Sequence, residues 1–287
     1  MMTPHELVKG ISGLVSLPEV CVRVNEMAEN PRYSASDIGK VIGQDVALTA
    51  RLLKIANSPF YSHVSRVDTV SRAVTLIGAR ELRDLIVATS AMRMFSGIPS
   101  ALVDMDSFWR HSICCGVVAR ILGPHCGVLH SERLFVAGLL HDVGRLIMYT
   151  KMAELMKVVL TRAHDSGTPA YLAEREVIGF DHAQVGGELM RLWRLPVSLQ
   201  EVLEFHHEPG KAEQFSLETA IIHIAGVVAN QVEPDGARKK ATETVDPVAW
   251  KITGLTEDLI ETILPEARAR FVEAQLLLLP GMRAAHL

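Results

Sequence analysis

Ser131-Glu132-Arg133-Leu134-Phe135-Val136-Ala137-Gly138-Leu139-Leu140-His141-Asp142-Val143-Gly144 reads as a short helix brought to a stop. Ser131 caps it, Leu134 to His141 form its apolar body, and Gly144 helps to end it. Its polar residues come last. Neighbours on a helix point about 100° apart, so His141 and Asp142 share a site only where the helix is finishing. Ala137 and Gly138, one turn back, leave room for something to approach that face.

Outward from this stretch the periodicity stays helical. Towards the N-terminus, Ser34-Ala35-Ser36-Asp37 has the form of a capping box. Asp45 caps a helix with Leu48, Leu52, Ile55 and Ala56 on one face, which Asn57-Ser58-Pro59 stops. Phe60 and Tyr61 follow, and on a loop they would be costly to expose. Thr69 caps Val70, Ala73, Val74 and Ile77, closed by Gly78, and the next helix carries Leu82, Leu85 and Ile86. Ser96-Gly97-Ile98-Pro99-Ser100 is the candidate boundary. Beyond it, Asp106 caps a helix with Trp109, Ile113, Gly116 and Val117. Asp181 starts another with Val185, Leu189 and Leu192, and Pro196 lies in the first turn of one with Leu199, Val202 and Leu203 inward. Ser216 starts a helix bearing Leu217, Ala220, Ile221, Ile224 and Val228. Val232 to Thr244 reads as a polar surface loop, and Thr256 to Leu279 as a helix whose end, Leu276 to Leu279, docks on the body. Alternating β-branched runs and fixed-period repeats are absent. The class is all-α, with an N-terminal helical subdomain, residues 1–99, packed on a helical bundle with a C-terminal helical extension, residues 100–287.

Composition narrows the function. The chain has 287 residues, 48% apolar and 22% charged, with a net charge of −4. That is enough apolar matter for a core and excludes disorder. A protein that lives on nucleic-acid phosphates normally carries a basic excess, so nucleic acid is a poor partner. The short helices from Asp45 to Ser90, with Arg72, Arg80 and Arg83, keep a nucleic-acid reading open, although a solvated basic face explains them equally well. The four cysteines (Cys21, Cys114, Cys115 and Cys126) form no framework, and Cys114 and Cys115 read as small buried residues. The start, Met1 to Glu6, lacks signal-peptide character, and no apolar run reaches the ~18–20 residues that span a bilayer. These features predict a soluble cytoplasmic protein with reduced thiols.

Twelve histidines are many for this length, and several gather near helix ends in the second half. The candidates are His111, His141 with Asp142, His182, and the pair His206-His207. Imidazole and carboxylate suit divalent zinc, iron or manganese. Taken singly, each histidine is also explained as a surface or hydrogen-bonded core residue. His206 shares a stripe with Leu199, Val202 and Leu203, His207 is placed to cap backbone carbonyls, and His223 reads as structural.

These residues resemble a known pattern. His111 followed by His141-Asp142 is similar to the opening of the H…HD…D signature of the HD superfamily of metal-dependent phosphohydrolases. Gln44-Asp45-Val46-Ala47-Leu48-Thr49-Ala50-Arg51-Leu52-Leu53-Lys54-Ile55-Ala56-Asn57-Ser58 resembles the most recognisable segment of one branch, the HDOD (HD-related output domain) family. Ala73 to Gly78, Phe108 to Ser112, Gly138 to Gly144 and His182 to Pro196 fit in the same order. The resemblance covers roughly residues 10 to 230. It implies an HD-like bundle and a bacterial signal-transduction role, often as the output half of a response regulator, with a signalling protein or upstream sensor or receiver module as partner.

The resemblance also implies a ligand set of His111, His141, Asp142, His182, His206 and His207 for a divalent ion. By alignment, Gly226 stands where the last aspartate is expected. The D-G-x-G-Y-P segment of the related HD-GYP phosphodiesterases is replaced by His206-His207-Glu208-Pro209-Gly210, and their Gly-Lys after the HD pair by Gly144-Arg145. The expectation is a degenerate, non-catalytic site that acts through a partner protein or a nucleotide-type ligand. An active metal phosphohydrolase on a nucleotide or cyclic dinucleotide is the alternative, and a nucleic-acid module the second. On this reading Asp142→Ala lowers stability only when metal is present.

Overall fold

In the computed structural model the described residues are 2–11, 15–58, 66–95, 102–232 and 243–279. The expected boundary at Ser96–Ser100, the residues Pro59, Phe60 and Tyr61, and most of the Val232–Thr244 stretch lie outside them. Every regular element among the described residues is helical. The chain divides into two compact units, one of residues 1–15 and 95–268, the other of residues 16–94 and 269–287.

The smaller unit contains α2 (Glu19–Ala28), α3 (Ala35–Ile42), α4 (Val46–Ala56), α5 (Val70–Ile77) and α6 (Ala79–Met94). Local chemistry starts these helices. Ser34 and Asp37 form the reciprocal capping box at α3, Asp45 accepts from the Leu48 amide at 2.9 Å, and Thr69 accepts from that of Arg72 at 3.2 Å. The stripes Leu48, Leu52, Ile55, Ala56 and Val70, Ala73, Val74 are buried as their spacing predicts, while Ile77, at the end of its helix, is only half-buried. Asn57 does more than end α4. Its amide donates to the carbonyls of Leu53 and Val67 and its oxygen accepts from the Val67 amide, pinning the chain on both sides of the connection. Helix α6 is buried around its whole circumference, including Arg83 and Asp84. Arg83 is therefore no part of a solvated basic face, and Arg80 pairs with Glu29 at 3.2 Å.

The larger unit contains α1 (Pro4–Lys9), α7 (Met105–His125), α8 (Glu132–Leu140), α9 (Val143–Lys151), α10 (Ala153–Ser166) and α11 (Ala170–Ile178). It continues with α12 (His182–Leu192), α13 (Val197–Phe205), a 3-10 turn at Pro209–Lys211, α14 (Ser216–Val232) and α15 (Pro247–Thr253). The last helix, α16 (Glu257–Leu278), belongs to the larger unit up to Arg268 and to the smaller from Ala269, and fulfils the helical reading of the tail. Its anchors, however, are buried Phe271 and Ala274, while Leu276 stays half exposed.

Three expectations change here for physical reasons. Helix α7 is capped by Asp104, whose side chain accepts from the Asp106 amide, so Asp106 lies inside the first turn. Gly138 does leave room on its face, but the room is filled by α7: a Cβ there would stand 2.6 Å from the Gly116 Cα. The two glycines let α7 and α8 touch backbone to backbone, which brings His111 beside His141. Gly144 does not end a helix; it lies in the first turn of α9, with Asp142 as the N-cap. Its bare Cα lets α9 meet α12, where a Cβ would strike the His182 carbonyl and stand 2.6 Å from the Gly186 amide nitrogen. That approach carries His182 to Asp142.

Candidate metal centre

All six residues picked from the sequence converge. Asp142 lies at the α8–α9 junction, His111 comes from α7, His141 ends α8, His182 opens α12, and His206 and His207 follow α13. Donor atoms of Asp142, His182, His206 and His207 lie within 4.8 Å of one another, as do those of His111, His141 and Asp142.

The outer nitrogen of each of four imidazoles is held by an acceptor. Nδ1 of His141 donates to the Gly138 carbonyl at 2.7 Å, and Nδ1 of His206 to the Leu203 carbonyl at 2.8 Å. Nδ1 of His182 donates to Glu174 at 2.6 Å, and Nδ1 of His207 to Glu243 at 3.0 Å. Carbonyls and carboxylates only accept, so these contacts put a proton on each Nδ1 and turn Nε2 to the interior. Nε2 of His182 stands 3.0 Å from Asp142 Oδ1, with those of His141 at 3.6 Å and His206 at 3.8 Å. Nε2 of His207 lies 2.9 Å from that of His182. This is how protein-bound metals find their histidines: Nε2 inward, Nδ1 fixed from behind.

The electrostatics follow from burial. Burial drives the pKa of His141 down to about 4, and it holds His206 and His207 well below the usual range, aided by their neighbouring imidazoles. Those rings are neutral. Burial and Arg145 also oppose charge on His182, but Glu174 and Asp142 outweigh them and lift it to about 9. Burial alone would raise the Asp142 carboxyl; Arg145, His141 and His182 reverse that and hold it well below its ordinary value. Arg145 reaches Asp142 Oδ2 at 3.1 Å and His182 Nε2 at 3.1 Å. Asp142 is thus tied to a buried guanidinium within the chain, a pairing that predicts a cost on its removal without metal as well, where the sequence reading expected one only with metal.

The donor set passes a test of fit. Nε2 of His206 is buried with no hydrogen-bond partner among the described residues, an arrangement that costs free energy unless something is coordinated there. Imidazole nitrogens around one carboxylate are ligands for zinc, iron or manganese. The centre lies in a cleft of about 980 Å³, walled by α14 at Ile222, Gly226 and Val227 and by Pro169 and Ala170 at the start of α11. Gly226 faces the histidines: a Cβ there would come to 4.0 Å from His141 Nε2.

Other candidates separate from the centre. His223 is structural: its Nδ1 donates to the His206 carbonyl at 2.8 Å, and its Nε2 accepts from the Asp246 amide at 2.9 Å. It braces the turn that presents His206. His207 caps no carbonyl; it bonds Glu243 and stacks on Tyr171 at 4.1 Å. Cys114 and Cys115 are fully buried on α7. Sequence reasoning missed Glu174, Arg145 as a partner of Asp142, Tyr171 and Glu243. Glu174 had one faint signal, a charged residue amid the apolar positions of α11 where it is wholly buried.

Comparison with known proteins agrees with the fold. A crystal structure from Shewanella amazonensis SB2B, described as a candidate phosphohydrolase, superposes with a TM-score of 0.73 at 22% identity, covering 95% of this chain and 97% of that one. A candidate signal transduction protein of Marinobacter aquaeolei VT8 gives 0.71 at 21% identity, covering 94% of this chain and 60% of its own. An uncharacterised protein of Treponema pallidum (strain Nichols) is 26% identical over 208 residues. That match spans 71% of this chain but only 40% of the Treponema protein. No helix among the described residues is long and apolar enough to cross a membrane. The HDOD domain profile matches residues 14–209, most of the chain and all six candidate ligands, and on that ground the protein belongs to the HDOD domain family.

Proposed function

We propose that this protein is a cytoplasmic signal-transduction module that holds a divalent ion of the zinc, iron or manganese kind and recognises a partner protein or a nucleotide-type ligand without hydrolysing it. Gly226 carries the reading. It faces His141 from the cleft wall, and it has no side chain to complete the anionic ligand set there. A bound ion would supply Lewis acidity toward a phosphoryl oxygen or a water. Asp142, His182, His206 and His207 would hold it, with His111 and His141 alongside. With one carboxylate fewer, the site carries a different charge and orients water less well, while the scaffold stays able to bind. The signalling description of the Marinobacter protein favours this regulatory role. The division at residues 99 and 100 belongs to the same proposal: an N-terminal subdomain that presents a partner surface and a bundle that carries the site.

One feature favours an active phosphohydrolase instead: Arg145 lines the cleft beside the ligand cluster, where it could meet a phosphate. The Shewanella protein's description points the same way. Purified protein incubated with manganese, iron or zinc and with cyclic di-GMP or nucleoside phosphates separates the two readings. No turnover is expected; turnover that disappears in His141→Ala would establish the enzyme.

A further inference from the structure

The six candidate ligands form two groups that share Asp142, and the groups are not equivalent. We infer that the centre is built for one tightly held ion on Asp142, His182, His206 and His207, and that the side made by His111, His141 and Asp142 is the weaker one. This rests on the metal-holding reading above and says where in the cluster the ion sits.

Support from behind is the first difference. On the four-residue side, His182 and His207 each donate Nδ1–H to a carboxylate, Glu174 and Glu243. A carboxylate behind an imidazole makes its inner nitrogen a better donor and fixes the ring. Glu174 is wholly buried and also accepts from the His182 amide at 2.8 Å, so His182 is held at two points. His207 is held again by its stack on Tyr171. On the other side, His141 is backed by the neutral carbonyl of Gly138.

Charge is the second difference. A divalent ion among the four-residue group would have Asp142, Glu174 and Glu243 near it, against the single guanidinium of Arg145. The opposite side has Asp142, and beside His141 it has Gly226. The missing side chain therefore weakens one half of the centre and leaves the other complete. The unpartnered Nε2 of His206 also belongs to the four-residue group.

The test is a titration of the full chain with cobalt(II), followed by its visible absorption, with circular dichroism of the chelated variants to confirm folding. One ion per chain is expected to bind tightly. Glu174→Gln keeps shape and loses charge, and is expected to weaken cobalt binding about 10- to 100-fold. Glu243→Gln is expected to move it in the same direction, and serves if Glu174→Gln does not fold. His111→Asn is expected to cost less than either. Two ions of equal affinity, or a larger loss in His111→Asn than in both glutamate variants, would overturn the placement. A wild-type chain that takes up no cobalt would instead overturn the metal-holding reading itself.

Discussion

The Arg83 cluster of the smaller unit and the Asp142 cluster of the larger one are both buried and both ionic, but only the first is closed. Arg83 and Asp84 are almost inaccessible and meet at 2.7 Å, and Glu29 takes the other arm of the guanidinium at 2.5 Å. Charge is answered by charge: Arg83 and Asp84 are sealed from solvent, and Glu29 closes the guanidinium from the half-exposed side. Around Asp142 the chain supplies more donors than it uses. Inward-facing imidazole nitrogens crowd one carboxylate, one of them has no hydrogen-bond partner, and a cleft opens onto them. The comparison teaches what separates a structural buried ion group from a binding site. A structural group is complete within the chain, whereas a binding site is arranged so that something else completes it.

The largest expected effect breaks the closed cluster. Arg83→Leu leaves Asp84 buried without its guanidinium and is expected to cost about 3–5 kcal/mol. Urea unfolding with and without a chelator measures it, and the loss should be the same in both. A chelator-dependent loss would mean that the two clusters are not the different objects described here.

Next comes the open cluster. With zinc at about one hundred times its Kd, the wild-type chain should gain about 2.7 kcal/mol over the chelated form. Asp142→Asn should lose that gain and should also melt lower than wild type in chelator, because Arg145 is left facing a neutral amide at 3.1 Å. Equal chelated melting temperatures would show that the Asp142–Arg145 pair does not matter to the metal-free fold.

A smaller effect sharpens the link between packing and site. Gly144→Ala forces a methyl group against the backbone of α12 and is expected to cost about 1–3 kcal/mol. Since the same contact carries His182 to Asp142, metal affinity measured by calorimetry should fall with it. Gly226→Asp should change stability least, by a few tenths of a kcal/mol, because it replaces glycine within a helix at a half-open position. Its effect should appear as a gain of metal binding beside His141, read by elemental analysis.

How far these features were legible depends on their range. Caps are local, so Ser34, Asp45, Thr69 and Asp181 could be read from a few adjacent residues, and the apolar stripes they introduce are buried except at their far ends, where Ile77 is half-buried and Leu192 exposed. The candidate ligands could be read because histidine and aspartate at helix ends stand out. Glycine was misread at two positions for one reason: its local meaning, a helix stop or free space, gave way to a tertiary one. Gly138 and Gly144 each receive the backbone of a helix distant in sequence. Glu174 and Glu243 were hard to read because their partners lie 8 and 36 residues away, and only Glu174, among the apolar positions of α11, left even a faint trace. The sequence named the candidate ligands; the folded chain revealed the carboxylates behind two of them.

The most direct measurement is a crystal structure of the full chain grown with zinc, with anomalous scattering recorded at the zinc edge. One strong peak is predicted, about 2.0–2.2 Å from a carboxylate oxygen of Asp142 and from Nε2 of His182, His206 and His207. No peak at Asp142, with Arg145 still bonded to it and the histidine nitrogens bonded only to one another, would contradict the account.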